Sequence, residues 1–296
     1  MSGFPRASAL AVFAHPDDEI FHSGMLAYLS DRGARVTVAC ATAGEAGKVH
    51  PSLGPVDDLA AIRMEELRLA CRRLGIEPPV FLGFHDSGRR ERQRHEDPLA
   101  LANVDMLAVE ARVRRVIEDL RPHVIFTFDP HGGYAHPDHI AIHRATTAAF
   151  FSSGVMGADA PVRLFYGAMD RRVFRTFAAR TQGRGILDGL DPDVFGIATE
   201  MIALSFDAVP YVRRKLAALA AHRSQFGVTD AMLDDPPSGI AGMLDAFRPV
   251  FEREVFLLGG TRVAVPRWPM CDPFEELDSA PLAPAHTRDP CAVART

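Results

Sequence analysis

Two short apolar runs, each broken without transition by a cluster of histidines and carboxylates, constrain this chain more than anything else in it. The first is Leu10-Ala11-Val12-Phe13-Ala14, which passes directly into His15-Pro16-Asp17-Asp18-Glu19. The second is Val124-Ile125-Phe126-Thr127-Phe128, followed by Asp129-Pro130-His131-Gly132-Gly133-Tyr134-Ala135-His136-Pro137-Asp138-His139. A run of four or five apolar residues bounded by turn formers reads as a buried strand. Proline is tolerated at the first helical position, and carboxylates are favoured in the first helical turn. Each stretch therefore reads as a strand running into a helix N-terminus. Neither strand nor helix formation asks for imidazoles and carboxylates packed into the turn. Taken singly, each is an acidic or capped helix start. Together, at the carboxyl ends of two buried strands, they point to one site, because such ends converge on a single crevice in an open α/β sheet.

The rest of the chain alternates in the same way. A helix over residues 20–31 is closed by Gly33, and a strand over 35–42 ends in Ala43-Gly44-Glu45-Ala46-Gly47. That loop is neither G-x-G-x-x-G nor a P-loop, so a nucleotide-binding reading is weak. A helix over 57–74, a short strand over 79–82 ending in Gly83-Phe84-His85-Asp86-Ser87-Gly88, and a helix over 104–120 lead into the strand at Val124. This order predicts an α/β fold, a Rossmann-like parallel-sheet three-layer sandwich, with C-terminal additions. Beyond residue 150, strands are expected over 162–168, 199–206 and 252–258, and helices over 171–180 and 209–223. Residues 1–260 then form one α/β domain. Residues 261–296, with six prolines between 266 and 290, form a proline-rich C-terminal tail.

Composition narrows the function classes. With 47% hydrophobic and 24% charged residues, the chain has material for a large core. A net charge of −5 argues against nucleic acid as partner, since such domains usually carry a basic excess. No apolar run approaches the ~18 residues needed to span a bilayer, and no signal peptide is visible. Cys40, Cys71, Cys271 and Cys291 form no C-x-x-C pair. Cys40 and Cys71 read as buried thiols, so a cytoplasmic location is expected.

Catalytic zinc is usually held by three histidine or carboxylate side chains. His15, Asp18 and His139 make such a set. Asp17, beside Asp18 but unable to share its direction, is left to take the proton of an attacking water. His136 would face the other side of the reacting carbon and stabilise an oxyanion or protonate a leaving amine. Asp138 is placed to orient one of the imidazoles. The same donors also accept Fe2+ or Co2+.

The pair Ala14-His15-Pro16-Asp17-Asp18-Glu19 and His136-Pro137-Asp138-His139 resembles the LmbE/PIG-L family of zinc-dependent N-deacetylases. Within it, the chain is most similar to the mycothiol-pathway branch that acts on an N-acetylglucosaminyl-inositol. The resemblance covers residues 8–260 and is widest from Arg121 to Pro130 and from Gly132 to Ala148. It implies a metal-dependent hydrolase acting on a small-molecule N-acetylated amino sugar, with His15, Asp18 and His139 as zinc ligands and Asp17 as general base. It assigns His136 to the tetrahedral intermediate, Tyr134 to the amide carbonyl, and Arg63 and Asp86 to substrate hydroxyls. Amidase action on mycothiol S-conjugates and deacetylation of a natural-product glycoside share this chemistry. A non-catalytic sugar-binding module on the same fold is the alternative of another class. An oligomer is compatible with all of them.

Duller roles stand beside these. Arg63 reads equally as a solvated helix charge, Asp86 as a turn residue and Tyr134 as a packing aromatic. Lys215 and His222 read as surface or capping residues of an amphipathic helix. Arg89 stands where the branch typically has methionine, and the segment from Ile20 to Gly24 departs from the usual small residues. His22 in that segment reads either as a residue near the mouth that changes what the pocket accepts or as an exposed helix residue.

Overall fold

The computed structural model describes residues 7–181 and 189–277. Seven strands form one sheet in the order β3-β2-β1-β4-β5-β7-β6. Their ranges are Ser8–Phe13 (β1), Arg35–Thr42 (β2), Val80–Phe84 (β3), Val124–Phe128 (β4), Arg163–Ala168 (β5), Leu204–Asp207 (β6) and Arg253–Thr261 (β7). The first five are parallel, as the alternating pattern requires. β7 runs antiparallel between β5 and β6, so the C-terminal additions make the sheet mixed rather than wholly parallel.

β1 and β4 are the centre, and every residue of both is buried. The chain moves outward from β1 to β2 and β3, then crosses back to pair β4 with the other side of β1. Right-handed crossovers therefore put the helices that follow β1 and β2 on one face and those that flank β4 on the other. Helices Ser23–Asp31, Leu59–Leu74 and Val212–Ala221 pack together in one group, and Met106–Leu120 packs on Pro137–Ser152 in the other. The reversal between β1 and β4 is a topological switch point, and the crevice beyond its strand ends is where ligands bind in such sheets.

Local chemistry explains the boundaries. Asp58 caps helix Leu59–Leu74 by accepting from Ala61 N at 2.9 Å, and Gly75, at φ 73°, ends it. Asp105 caps Met106–Leu120 through the amides of Leu107 and Ala108. Thr127 Oγ1 donates to Val12 O at 2.9 Å, locking the two central strands level with each other just before their polar turns.

Several expectations need correcting. The strand expected over 199–206 shrinks to Leu204–Asp207, preceded by a 3-10 turn at Thr199–Met201. A fifteen-residue helix, Ser238–Glu252, has no counterpart in the sequence reading, and it carries Pro249 inside it. The helix after β1 is preceded by a separate 3-10 turn, Asp18–His22. Of the C-terminal stretch, residues up to 277 dock on the sheet: Met270 and Phe274 are buried in the main core, and Met270 bridges to Leu204. Residues 278–296, with Cys291 and three of the six prolines, lie outside the described residues. Cys40 and Cys71 are buried free thiols. Among the described residues no helix is long and apolar enough to cross a membrane.

Candidate active site

Four strand ends supply the site. β1 delivers His15, Asp17 and Asp18; β2 leads to the Gly44 loop; β3 leads to Asp86 and Ser87; β4 leads to the turn ending in His136, Asp138 and His139. The two distant clusters meet as expected, with the His15 and His139 ring centroids 5.2 Å apart.

Three side chains converge on one point. His15 Nδ1 lies 3.2 Å from His139 Nε2 and 3.5 Å from Asp18 Oδ2, and His139 Nε2 lies 3.2 Å from Asp18 Oδ1. The remaining ring nitrogens fix the tautomers. His15 Nε2 faces Asp138 Oδ2 at 3.1 Å and Asp86 Oδ1 at 3.4 Å, so its proton belongs there and Nδ1 presents a lone pair. His139 Nδ1 donates to Gly132 O at 3.1 Å, leaving Nε2 free to accept. Lone pairs this close repel one another unless a proton or a metal cation lies among them. Although burial alone would lower the His15 pKa, the carboxylates of Asp86, Asp138 and Asp18 raise it well above the ordinary value, so the pocket favours positive charge. Ligands at the ~2.0–2.2 Å bond lengths of a tetrahedral ion are separated by roughly 3.3 Å. The His15–His139 contact and the His139–Asp18 Oδ1 contact match that spacing, with Asp18 Oδ2 slightly farther from His15. The donor set fits a divalent metal. Two other groups offer atoms within 4.8 Å of each other, His15 with His136 and His139, and His15 with Asp86 and Asp138. The second would use His15 Nε2, which faces those two carboxylates, and the first would add His136, whose Nδ1 already accepts from Asp138 N.

Asp17 and Asp18 are pulled apart by the backbone. Asp17 sits at φ 114°, ψ −17°, a region uncommon for a residue with a Cβ. Its amide donates to Glu19 Oε2 at 3.1 Å, and its carboxylate lies 3.1 Å from Arg63 Nη2. Burial pushes the Asp17 carboxyl up to about 6, against the pull of Arg63. Burial acts on Asp18 in the same sense, but His139 and His15 overcome it and hold that carboxyl well below the usual range.

His136 caps the helix Pro137–Ser152, its Nδ1 accepting from Asp138 N at 3.2 Å. Burial, then His15 and His139, lower its pKa to about 2, so the ring is neutral with its proton on Nε2. Tyr134 lies in a turn of four residues with three left-handed ones, Gly132, Gly133 and Ala135. A Cβ on Gly132 would come within 2.7 Å of His139 Cβ, so only glycine lets this turn pass under the ligand. The Tyr134 ring packs edge-to-face against His139, and the Arg89 guanidinium lies over the ring, 4.8 Å from its centroid. Burial pushes the phenol pKa up.

Arg63 is buried, not a solvated helix charge. It donates to Gly44 O at 2.7 Å and to Pro16 O as well as meeting Asp17. A Cβ on Gly44 would overlap its guanidinium. Asp86 is a turn residue and more: it accepts from the amides of Ala46 and Gly88 and faces His15. Asp138 accepts from Ser87 N at 2.9 Å, tying the β3 loop to the β4 turn.

Three expectations of exposure are overturned. Lys215 is fully buried and ion-paired with Glu254, which also accepts the amides of Gly24 and Met25. His222 is fully buried, 2.7 Å from Glu19 Oε1. His22 is buried between the rings of Phe13 and Phe256. The residue overlooked by sequence reasoning is Glu19, which joins the Asp17 backbone to His222. The available signal was spacing: Lys215, Ala218, Leu219 and His222 share one helical face, and that face is apolar.

The family described as PIG-L: GlcNAc-PI de-N-acetylase matches residues 10–150. A 1D-myo-inositol 2-acetamido-2-deoxy-alpha-D-glucopyranoside deacetylase of Acidothermus cellulolyticus is 35% identical over 239 residues, covering 75% of this chain and 80% of the relative. Among solved structures, the N,N'-diacetylchitobiose deacetylase of Pyrococcus horikoshii superposes with a TM-score of 0.53 at 21% identity, covering 86% of this chain and 84% of that one. The 4-carboxy-2-hydroxymuconate hydratase of Pseudomonas putida superposes with a TM-score of 0.54 at 17% identity, covering 87% and 98%. These two carry different chemistries, so likeness of shape speaks for the fold alone.

Proposed function

The chain belongs to the PIG-L family of de-N-acetylases, and on that premise we propose that it hydrolyses the acetamide of an N-acetylglucosamine-type substrate to a free amine and acetate. The inositol glycoside named for its relatives is the first candidate substrate. The reading rests above all on one observation: one ring nitrogen each of His15 and His139 and the two oxygens of Asp18 face each other at 3.2–3.5 Å.

His15, Asp18 and His139 would hold the ion, with zinc proposed and Fe2+ or Co2+ suited to the same donors. When bound, such an ion lowers the pKa of water toward ~7 and polarises a carbonyl. Asp17 accepts the proton of the attacking water. Its pKa of about 6 suits a base working near neutrality. Arg63 and Glu19 hold Asp17 in place, one at its carboxylate and one at its amide. His136 offers Nε2–H to the oxyanion, and Tyr134, kept protonated by burial, offers its hydroxyl to the carbonyl oxygen. Asp138 keeps the His15 proton on Nε2, and Asp86 stands on the same side, where substrate hydroxyls would approach.

Acetate and amine release from N-acetylglucosaminyl-inositol, together with metal analysis of the purified chain, tests this. Stoichiometric metal and turnover are expected. A protein without metal that binds amino sugars and cleaves no acetamide would instead be a sugar-binding module.

A further inference from the structure

Beside Asp18 and His139 lies a cavity of about 90 Å³, and the chemistry above engages only the end of it at Asp18, His139 and Tyr134. Asp18, His139 and Tyr134 form its inner wall. Phe21, Val173, Phe174, Phe177, Phe195 and Val250 form much of the rest, drawn from an apolar cluster separate from the main core. Charged residues also border it, but their polar atoms are engaged within the protein. Asp129 accepts from Gly133 N, and Asp170 from Arg172 N and the Thr199 hydroxyl. Arg253 donates to Ser205 Oγ, and Glu254 is neutralised by Lys215. His22 lines the cavity as well, and burial together with Lys215 lowers its pKa to about 3, so it brings no charge. Gly167 has no side chain where that ring stands, since a Cβ there would overlap it.

Most polar groups of the site lie off this cavity. His15, Asp17, Arg63, Asp86 and His136 do not border the cavity. An amide carbon held at Asp18 and His139 thus meets two kinds of surroundings, aromatic walls along the cavity and hydrogen-bonding groups off it. An N-acylated amino sugar is divided in the same way, with hydroxyls beyond the nitrogen and carbon chain beyond the carbonyl.

We propose that the cavity receives the acyl chain of the substrate amide, and that the chain removed is a linear alkanoyl group longer than acetyl. One water needs about 10–15 Å³ of such space, so an acetyl methyl fills about one place and the cavity has room for roughly six. The proposal rests on the amide hydrolysis and the amino-sugar class proposed above, and it puts a longer acyl group in place of the acetyl. In the step, water's oxygen bonds to the carbonyl carbon, the C–N bond breaks, and water's proton passes to the leaving amine. The products are a free amino sugar and a fatty carboxylic acid.

Glucosamines carrying acetyl, butanoyl, hexanoyl and octanoyl groups test it on the metal-loaded full chain, with the free amine as readout. Each methylene up to about six carbons is expected to raise kcat/KM roughly fourfold. A preference for acetyl across the series overturns the proposal and leaves the deacetylase reading standing. Release of amine from no member overturns both. Alkyl glycosides of N-acetylglucosamine form the second arm: a gain with alkyl length, and none with acyl length, overturns the proposal by assigning the cavity to the aglycone. Calorimetric titration with free carboxylates from acetate to octanoate reads binding without turnover. Affinity is expected to rise with length, and a flat series counts against the cavity's role. In Val173→Trp the hexanoyl-to-acetyl ratio is expected to drop about tenfold, and an unchanged ratio overturns the assignment.

Discussion

Replacing His222 by leucine tests how the structure holds its strained aspartate. His222 Nε2 lies 2.7 Å from Glu19 Oε1, and both side chains are fully buried. The other Glu19 oxygen accepts the amide of Asp17, the residue at φ 114°. Leucine keeps most of the volume but leaves the Glu19 carboxylate buried without its cation. Breaking one side of a buried pair costs about 3–5 kcal/mol. For a chain of this size that corresponds to a fall in Tm of roughly 6–15 °C. The pH dependence has a definite sign. Burial alone would lower the His222 pKa, but Glu19 first, then Asp17 and Glu66, raise it above the ordinary value. A raised folded pKa gives stability that is complete below the unfolded pKa of about 6.5 and is lost as pH rises through the folded value. Urea unfolding of both proteins at pH 6, 7.5 and 9 should therefore show the largest gap at pH 6 and a smaller one at pH 9. A gap below about 1 kcal/mol at pH 6, typical of an exposed pair, would refute the argument. So would a gap that widens with pH.

Three further outcomes follow from the site. Asp17→Asn should lower kcat about 10²–10⁴-fold while metal content, measured by elemental analysis, stays near that of the parent protein; loss of the metal would mean that Asp17 and Asp18 have exchanged roles. Chelation should abolish turnover and lower Tm, and zinc restored to 100 times its Kd should return about 2.7 kcal/mol of stability. Gly132→Ala places a Cβ 2.7 Å from His139 Cβ at a left-handed position, so a stability loss of about 1–3 kcal/mol with weakened metal binding is expected in thermal melts and metal titration.

What the sequence disclosed was whatever lies close along the chain. β2 and β4 fall at their expected residues, and the two strand-turn-helix clusters meet where parallel topology sends them. The hidden part is long-range or contradictory to propensity. Helix Ser238–Glu252 contains Gly239, Gly242 and Pro249, all poor helix formers. Its apolar residues Ile240, Met243, Phe247, Val250 and Phe251 nevertheless share a face, packed against two satellite clusters. Tertiary burial overrides local preference there. Lys215 and His222 read as surface groups because charge is rarely buried without a partner. Their partners, Glu254 and Glu19, lie 39 and 203 residues away, and no local pattern announces them. His22 reads as exposed for a related reason: the aromatic rings that enclose it come from β1 and β7, far apart in sequence.

Adjacent carboxylates normally share an environment, and the main physical problem of this site is to give two of them opposite properties. The left-handed conformation of Asp17 supplies the solution. It turns one carboxylate toward Arg63 and leaves the next facing two imidazoles. Burial then raises Asp17 to about 6, while the imidazoles depress Asp18. Groups driven apart in this manner divide into a proton acceptor and a permanent anion. Such a backbone costs on the order of 1–3 kcal/mol unless its surroundings over-determine it. Here three contacts do so: Glu19 on the amide, and Arg63 on both the carboxylate and the preceding carbonyl of Pro16. His222 and the Gly44 carbonyl in turn fix those two residues. The buried polar network under the first turn is thus the means by which one dipeptide performs two jobs, and this is why its furthest member, His222, is the sharpest place to test the reasoning.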